Sequence, residues 1–259
     1  MGKLANPAIR KPALALEKLI YQYADLVVAC SRGMESGVLE INSKTNTVVI
    51  PNSSDLELFG GQSELPKFPD GFKPKLPVFL YAGSLGEMDD CSQIIAGMNL
   101  LQDEVSISMV FIGDGTERNL LEEKAKLLPS TVSSYFLGLI PKTEVVKWFG
   151  IARASFVTFQ DLPVLHTNSP NKMFDSFAAA VPIIQSTKGW IKDLVESENC
   201  GINVDPTSAQ SFANAIQLLA ADQVLAKSLG ESSKRLAETD FNRNTLSELY
   251  LKKLKEIND

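Results

Sequence analysis

Between residues 77 and 205, short runs of β-branched and aromatic residues alternate with stretches of helical periodicity. The runs predict strands over 77–82 (PVFLYA), 106–112 (SISMVFI), 132–137 (VSSYFL), 154–159 (ASFVTF), 181–185 (VPIIQ) and 201–204 (GINV). The stretches between them predict helices over 91–101, 117–128, 142–150 and 171–180. Strands apolar on both faces, separated by helices, belong to a parallel sheet covered on both sides. Right-handed crossovers then wind it into a doubly wound, Rossmann-like α/β domain. After residue 205 the pattern is wholly helical, over 207–221, 223–238 and 243–257. Before residue 77 it is different again: a helical stretch at 19–24, a strand at 26–30, a helix at 31–41 capped by Ser31, and a strand at 47–50. Residues 51–76 follow, with Pro51, Pro66, Pro69 and Pro74 among Gly, Ser and Asn breakers, which is linker chemistry. Two βα units cannot bury both faces of a sheet. The expected organisation is therefore a domain remnant at 1–50, a linker at 51–76, the main domain at 77–240, and a last helix at 241–259 returning towards the first domain.

Composition narrows the function classes. Apolar residues make up 44% of the 259 and charged residues 22%, which excludes a disordered or disulfide-stapled chain. The longer apolar runs, such as 177–184, fall far short of the ~18 residues that span a bilayer. A net charge of −6 argues against a reader of nucleic-acid backbones, which shows a basic face. Cys30, Cys91 and Cys200 are isolated thiols, expected to be small buried hydrophobes in a reducing cytoplasm. Glu17 and Lys18 interrupt the early apolar stretch, so no secretory signal is expected, and Asn6 does not fit a myristoylation signal.

Doubly wound sheets bind ligands beyond the carboxyl ends of their strands. Those ends read Gly83-Ser84-Leu85-Gly86, Gly113-Asp114-Gly115, Gly138-Leu139-Ile140-Pro141, and a longer loop leading to Ser169-Pro170-Asn171-Lys172. Glycine lets backbone approach a ligand closely, though tight turns alone would also call for it. There is no GxGxxG and no GxxxxGK[ST], so the dinucleotide and P-loop fingerprints are missing. Ser169 is a natural N-cap and Pro170 suits a first helical position. Lys172 then lies in a first turn, where its charge opposes the helix dipole unless an anion such as a diphosphate sits there. Asp175, four residues after Asn171, is placed to accept hydrogen bonds from vicinal hydroxyls such as those of ribose. Both residues are equally compatible with a solvated helix face.

Several stretches carry a resemblance. Tyr23-Ala24-Asp25-Leu26-Val27-Val28 through Ser31 is similar to an "ADxVxxxS" pattern, and Ile50-Pro51-Asn52-Ser53-Ser54-Asp55 through Phe59 to "IPNGVDxxxF". Phe111-Ile112-Gly113-Asp114-Gly115 resembles "xIGDGxE", Phe136-Leu137-Gly138 resembles "FLG", and Ser169 through Pro182 resembles "SPNKxFDxxAAGxPI". In this order they resemble the carboxyl-terminal half of a family 4 (group 1) glycosyltransferase of the two-domain GT-B fold, over roughly residues 17–257. The resemblance implies a retaining transferase of hexosyl or N-acetylhexosaminyl type, working without metal or other cofactor. Its donor would be a nucleotide-sugar, expected to be UDP-linked, used in bacterial surface polysaccharide synthesis. Asp175 would hold the ribose hydroxyls, the N–H groups of Asn171 and Lys172 would meet the diphosphate, and Leu139 and Ile140 would flank the nucleobase. Gly83, Ser84, Gly86, Gly113, Asp114, Gly115, Thr167 and Ser169 would complete the donor site; no catalytic residue is assigned. The acceptor would be a saccharide or lipid-linked saccharide, met by a preceding domain that also touches the inner face of a membrane. This fragment alone would then be inactive.

The chain departs from the family pattern in three places. Thr167 stands where the first Glu of the E-x7-E motif is usual, and Ser53 where Gly is usual. Glu87, Asp89 and Asp90 follow the first strand of the main domain, with no Arg or Lys between Lys75 and Arg118, and carboxylates repel a diphosphate. His166, the single histidine, lies in the loop before Ser169 and is open to an acid–base role, although the family takes its cleft histidine from the other domain. Trp148 and Trp190 are expected to pack as core or edge aromatics. Two rivals remain: a nucleotide-sugar epimerase, which would want more than one histidine, and a non-catalytic nucleotide-sugar-binding subunit working with a partner chain.

Overall fold

A computed structural model describes residues 6–59 and 64–258. Residues 1–5, 60–63 and 259 of the expected remnant, linker and last helix lie outside the described residues. The six strands expected between residues 77 and 205 form one parallel sheet of β3 (Val78–Ala82), β4 (Ile107–Ile112), β5 (Val132–Gly138), β6 (Ala152–Val157), β7 (Ile183–Gln185) and β8 (Gly201–Asn203). Their order is β5-β4-β3-β6-β7-β8. The chain therefore builds outward from β3 in one direction, then returns to its other side at β6. The crossovers leaving β3 and β6 pass to opposite faces of the sheet, which makes the carboxyl ends of these two strands the switch point where doubly wound sheets bind ligands.

Alternation along the strands divides the core. Phe79 and Tyr81 of β3 join Met109 and Phe111 of β4 on one face, under α4 (Ser92–Met98), α5 (Arg118–Ala125), α9 (Ala209–Ala221) and the start of α10 (Gln223–Glu238). Val78 and Leu80 join Val110 and Ile112 on the other, under α6 (Lys142–Phe149) and the end of α7 (Asn171–Ala178). Burial of a large apolar side chain stabilises by roughly 1.5–3 kcal/mol, so β3, buried from Val78 to Tyr81, and β4, buried throughout, anchor the domain.

Three elements differ from the sequence expectation. α8 (Trp190–Glu198) occupies a stretch for which no helix was expected; Gly189, with φ of 78°, turns the chain into it. The first helix, α1 (Pro7–Tyr23), is far longer than 19–24, because Asn6 caps it and Pro7 takes the first position, where a missing N–H costs nothing. Pro12 lies inside it. The described part of the proline-rich stretch after residue 50 is packed rather than free. It holds α3 (Leu56–Phe59), and its Phe68 and Phe72 stack at 4.6 Å, Phe72 lying 5.2 Å from buried Trp148. The prolines give the stretch the composition of a linker, while its phenylalanines fasten it to the domain.

β1 (Val27–Ala29) and β2 (Thr47–Val49) form a separate two-stranded parallel sheet against α2 (Arg32–Ile41). Ser31 caps α2 as expected, accepting from the Met34 N–H at 3.1 Å. Val28 is exposed, and α1 shows Leu16, Leu19, Ile20 and Tyr23 to solvent. The chain crosses from the small sheet to the large one after β2, and its last stretch returns to that crossing point. Ser54 bridges to Asn242, its N–H donates to the Phe241 carbonyl at 2.8 Å, and its hydroxyl donates to the Phe174 carbonyl at 3.0 Å. α11 (Arg243–Asn258) starts beside this knot, with Arg243 2.8 Å from Asp55. Among the described residues, no helix is long and apolar enough to cross a membrane.

Candidate functional site

The crevice begins where β3 ends. Gly83 donates to the Ile112 carbonyl and Leu85 to that of Asp114, so the loops after β3 and β4 lie against each other. A Cβ on Gly113, which has φ of +133°, would stand 1.8 Å from the Gly83 oxygen; one on Gly115 would stand 2.4 Å from the Leu85 carbonyl. Both glycines are thus required by chain packing, before any ligand is considered. Ser84, Asp114 and Gly115 are exposed on the rim, with half-buried Gly86 behind them.

α7 enters from the opposite wall. Its N-terminus differs from the expected cap: Pro170 takes the cap position with no side-chain cap, and the helix opens at Asn171. Buried Ser169 bonds elsewhere, its hydroxyl and carbonyl accepting from the Asn52 backbone and side chain at 3.3 and 2.7 Å. The claim on Ser169 by a distant segment removes it from capping. It also leaves the first N–H groups of α7 uncapped at the crevice, as an anion site needs.

Lys172 does not point to solvent. Its side chain is only 10% exposed, and its ammonium donates to the Tyr81 hydroxyl and the Asp89 carboxylate, each at 2.8 Å. The rings of Tyr81 and Phe159 lie 4.5 and 4.6 Å away, a cation–π cage. Burial, then the neighbouring Cys91 and Asp89, raises the Tyr81 hydroxyl far above its usual range, so it stays protonated. It lies 2.6 Å from the Ser84 carbonyl. Asp89 belongs to a single 3-10 turn over Glu87–Asp89, pinned by the Thr158 hydroxyl on its carbonyl at 2.7 Å.

Asp175 lies one turn further along α7 and pairs with Lys142, the first residue of α6. Burial raises its carboxyl above the ordinary value, against the lowering by Lys142. Leu139, 80% exposed, and half-buried Ile140 lie just before Lys142. Arg118 bonds Glu122 at 2.8 Å and approaches Gly138, while Lys188 pairs with Asp161 at 2.6 Å. Lys142, Arg118 and Lys188, like Lys172, are each engaged by a carboxylate.

The remaining sequence candidates have structural tasks. His166 is fixed, Nδ1 accepting from the Lys188 N–H at 3.2 Å and Nε2 lying 3.0 Å from Asp161. The Thr167 carbonyl accepts from Ser31 at 2.6 Å. Sequence reasoning missed the pairing of Asp89 with Lys172, read only as repulsive acid, and Lys142, the first residue after the Gly138–Pro141 loop.

Residues 63–236 match the family of glycosyl transferases group 1, and the chain belongs to that family. It is 20% identical over 243 residues to glycogen synthase of Mycobacterium tuberculosis, covering 93% of this chain and 56% of that protein. It is 23% identical over 239 residues to the putative teichuronic acid biosynthesis glycosyltransferase TuaC of Bacillus subtilis, covering 91% and 57%. The chain thus spans about half the length of these relatives. Among solved structures it superposes on sucrose-phosphate synthase from Thermosynechococcus elongatus with a TM-score of 0.76 at 23% identity, over 95% of this chain and 62% of that one. HepE of Anabaena, solved in complex with UDP-glucose, gives 0.75 at 17% identity over 98% and 70%. The fold is that of GT-B glycosyltransferases.

Proposed function

We propose that this chain is the donor-binding half of a retaining glycosyltransferase that takes a UDP-sugar, in the synthesis of a surface polysaccharide. The observation that carries the reading is the placement of α7. Its uncapped N-terminus and Lys172 face the switch-point crevice, and Asp175 lies one turn away beside the loop that would receive the base. The diphosphate would meet the N–H groups of Asn171 and Lys172, the ribose Asp175, and the base the backbone of Leu139 and Ile140. The HepE complex with UDP-glucose and the teichuronic acid relative support the donor and product classes. β1, β2 and α2 would belong to the acceptor domain, so transfer would need the rest of that domain. Calorimetric titration with UDP, GDP and ADP and their sugars tests the reading. Binding of UDP with no transfer by this chain alone is expected; robust transfer by it, or indifference to every nucleotide, would sink it.

A further inference from the structure

We propose that Asp89 sets the donor affinity of this site: its carboxylate occupies the place on Lys172 that a donor phosphate would take, and must yield to it. The proposal rests on the donor-site reading above. Lys172 is enclosed by three groups. Two are rings rooted in the core, Tyr81 at 0% and Phe159 at 8% exposure, and neither can withdraw without opening it. The third, Asp89, is the one anion of the three, and it is carried by a single 3-10 turn rather than packed into the core. Its main chain is held, by Thr158 on its own carbonyl at 2.7 Å and by the Gln160 N–H on the Met88 carbonyl at 3.0 Å. Release of the ammonium therefore needs only a rotation of the Asp89 side chain, which also gives up the hydrogen bond its Oδ1 accepts from the Tyr81 hydroxyl at 3.0 Å. Gly83 keeps that flank of the ammonium open by having no side chain: a Cβ there would be in contact with the Lys172 Nζ at 3.5 Å and crowd the Tyr81 hydroxyl at 3.3 Å.

Two anions on one ammonium repel each other, so a phosphate reaching Lys172 competes with Asp89. Taking the carboxylate away leaves a largely covered ammonium without its counter-charge, which increases its draw on an incoming anion. The crevice is therefore poised for a donor that repays the exchange with the rest of its contacts, and discriminates against inorganic phosphate.

Titration of UDP and uridine against the wild type, Asp89→Asn, Lys172→Ala and the double variant tests this. Asp89→Asn, which keeps the shape and the acceptor oxygen, is expected to bind UDP roughly tenfold more tightly and uridine unchanged. The gain should vanish when Lys172 is also removed. UDP affinity that is unchanged or weaker in Asp89→Asn overturns the proposal while leaving the donor site standing, as does a gain that survives loss of Lys172. Asp89→Ala is read by the same criteria should the asparagine variant fail to fold. Failure of UDP and uridine to bind any variant removes the donor-site reading, and this proposal with it.

Discussion

The Ser31 hydroxyl donates to the Thr167 carbonyl at 2.6 Å across 136 residues of chain, and the same oxygen caps α2. One side chain therefore joins the two-stranded unit to the loop that leads into α7. Gly33 stands behind it, where a Cβ would lie 2.6 Å from the Thr167 methyl. Ser31→Ala removes a cap and a buried hydrogen bond together, each worth about 1 kcal/mol, and is expected to lower stability by about 1–3 kcal/mol. Urea unfolding measures it; a loss near zero would mean the junction contributes nothing.

Lys172→Ala should weaken UDP binding by roughly 10- to 100-fold, the loss of one charge-assisted hydrogen bond, with uridine unaffected. Asp175→Asn should weaken both ligands, because ribose is common to them. Calorimetry of the two ligands separates these patterns, and a Lys172→Ala variant that also loses uridine would place the diphosphate elsewhere.

The raised carboxyl of Asp175 gives a pH signature. Burial makes the folded chain hold this proton at pH values where the unfolded chain, near 3.8, has released it. The stabilising contribution is thus complete at low pH and is lost as pH rises through the folded value. Asp175→Asn should accordingly compare better with the wild type at neutral pH than near pH 4. Unfolding midpoints across that interval are the measurement; a difference constant with pH contradicts the assignment.

Two glycine substitutions should move stability in opposite directions. Gly113→Ala places a Cβ against the Gly83 carbonyl with φ positive, and is expected to cost more than about 3 kcal/mol or abolish folding. Gly37→Ala, inside α2 with nothing within 4 Å of the new Cβ, should stabilise by about 0.5–1 kcal/mol. Thermal melts of the two proteins decide it.

Thiol titration should find one reactive cysteine in the native chain. Cys91 and Cys200 are fully buried, and burial pushes both thiols up to about 12, whereas Cys30 is half-buried at the wall of a cleft of about 530 Å³. Ellman's reagent is expected to label Cys30 alone until the chain is unfolded.

The sheet was legible because two-faced apolar strands have few other homes, and the strand ends followed from it. Individual roles were less so. The glycines after β3 and β4 look like a ligand cradle in the sequence, yet Gly113 and Gly115 are fixed by the approach of one loop to another. Ser169 has the chemistry of a cap but spends its hydroxyl on Asn52, 117 residues earlier. Lys172 and Asp89 were both visible, one as an attractive charge and the other as a repulsive one. That they neutralise each other depends on β3 and β6 being neighbours, which no local pattern records. α8 escaped because its start follows a glycine in a conformation other residues avoid.

The knot at Ser54 has a mechanical meaning. Its hydroxyl holds the Phe174 carbonyl in the middle of α7, while Ser31 and Asn52 hold residues 167 and 169 just ahead of that helix. The helix is gripped at its middle by the crossing point and at its approach by the two-stranded unit. A swing of that unit about Ser54 leaves the first grip in place and pulls on the second, three to five residues before Lys172. Any displacement of the two-stranded unit would therefore reach the helix N-terminus through the 167–169 stretch, with Ser54 at the pivot.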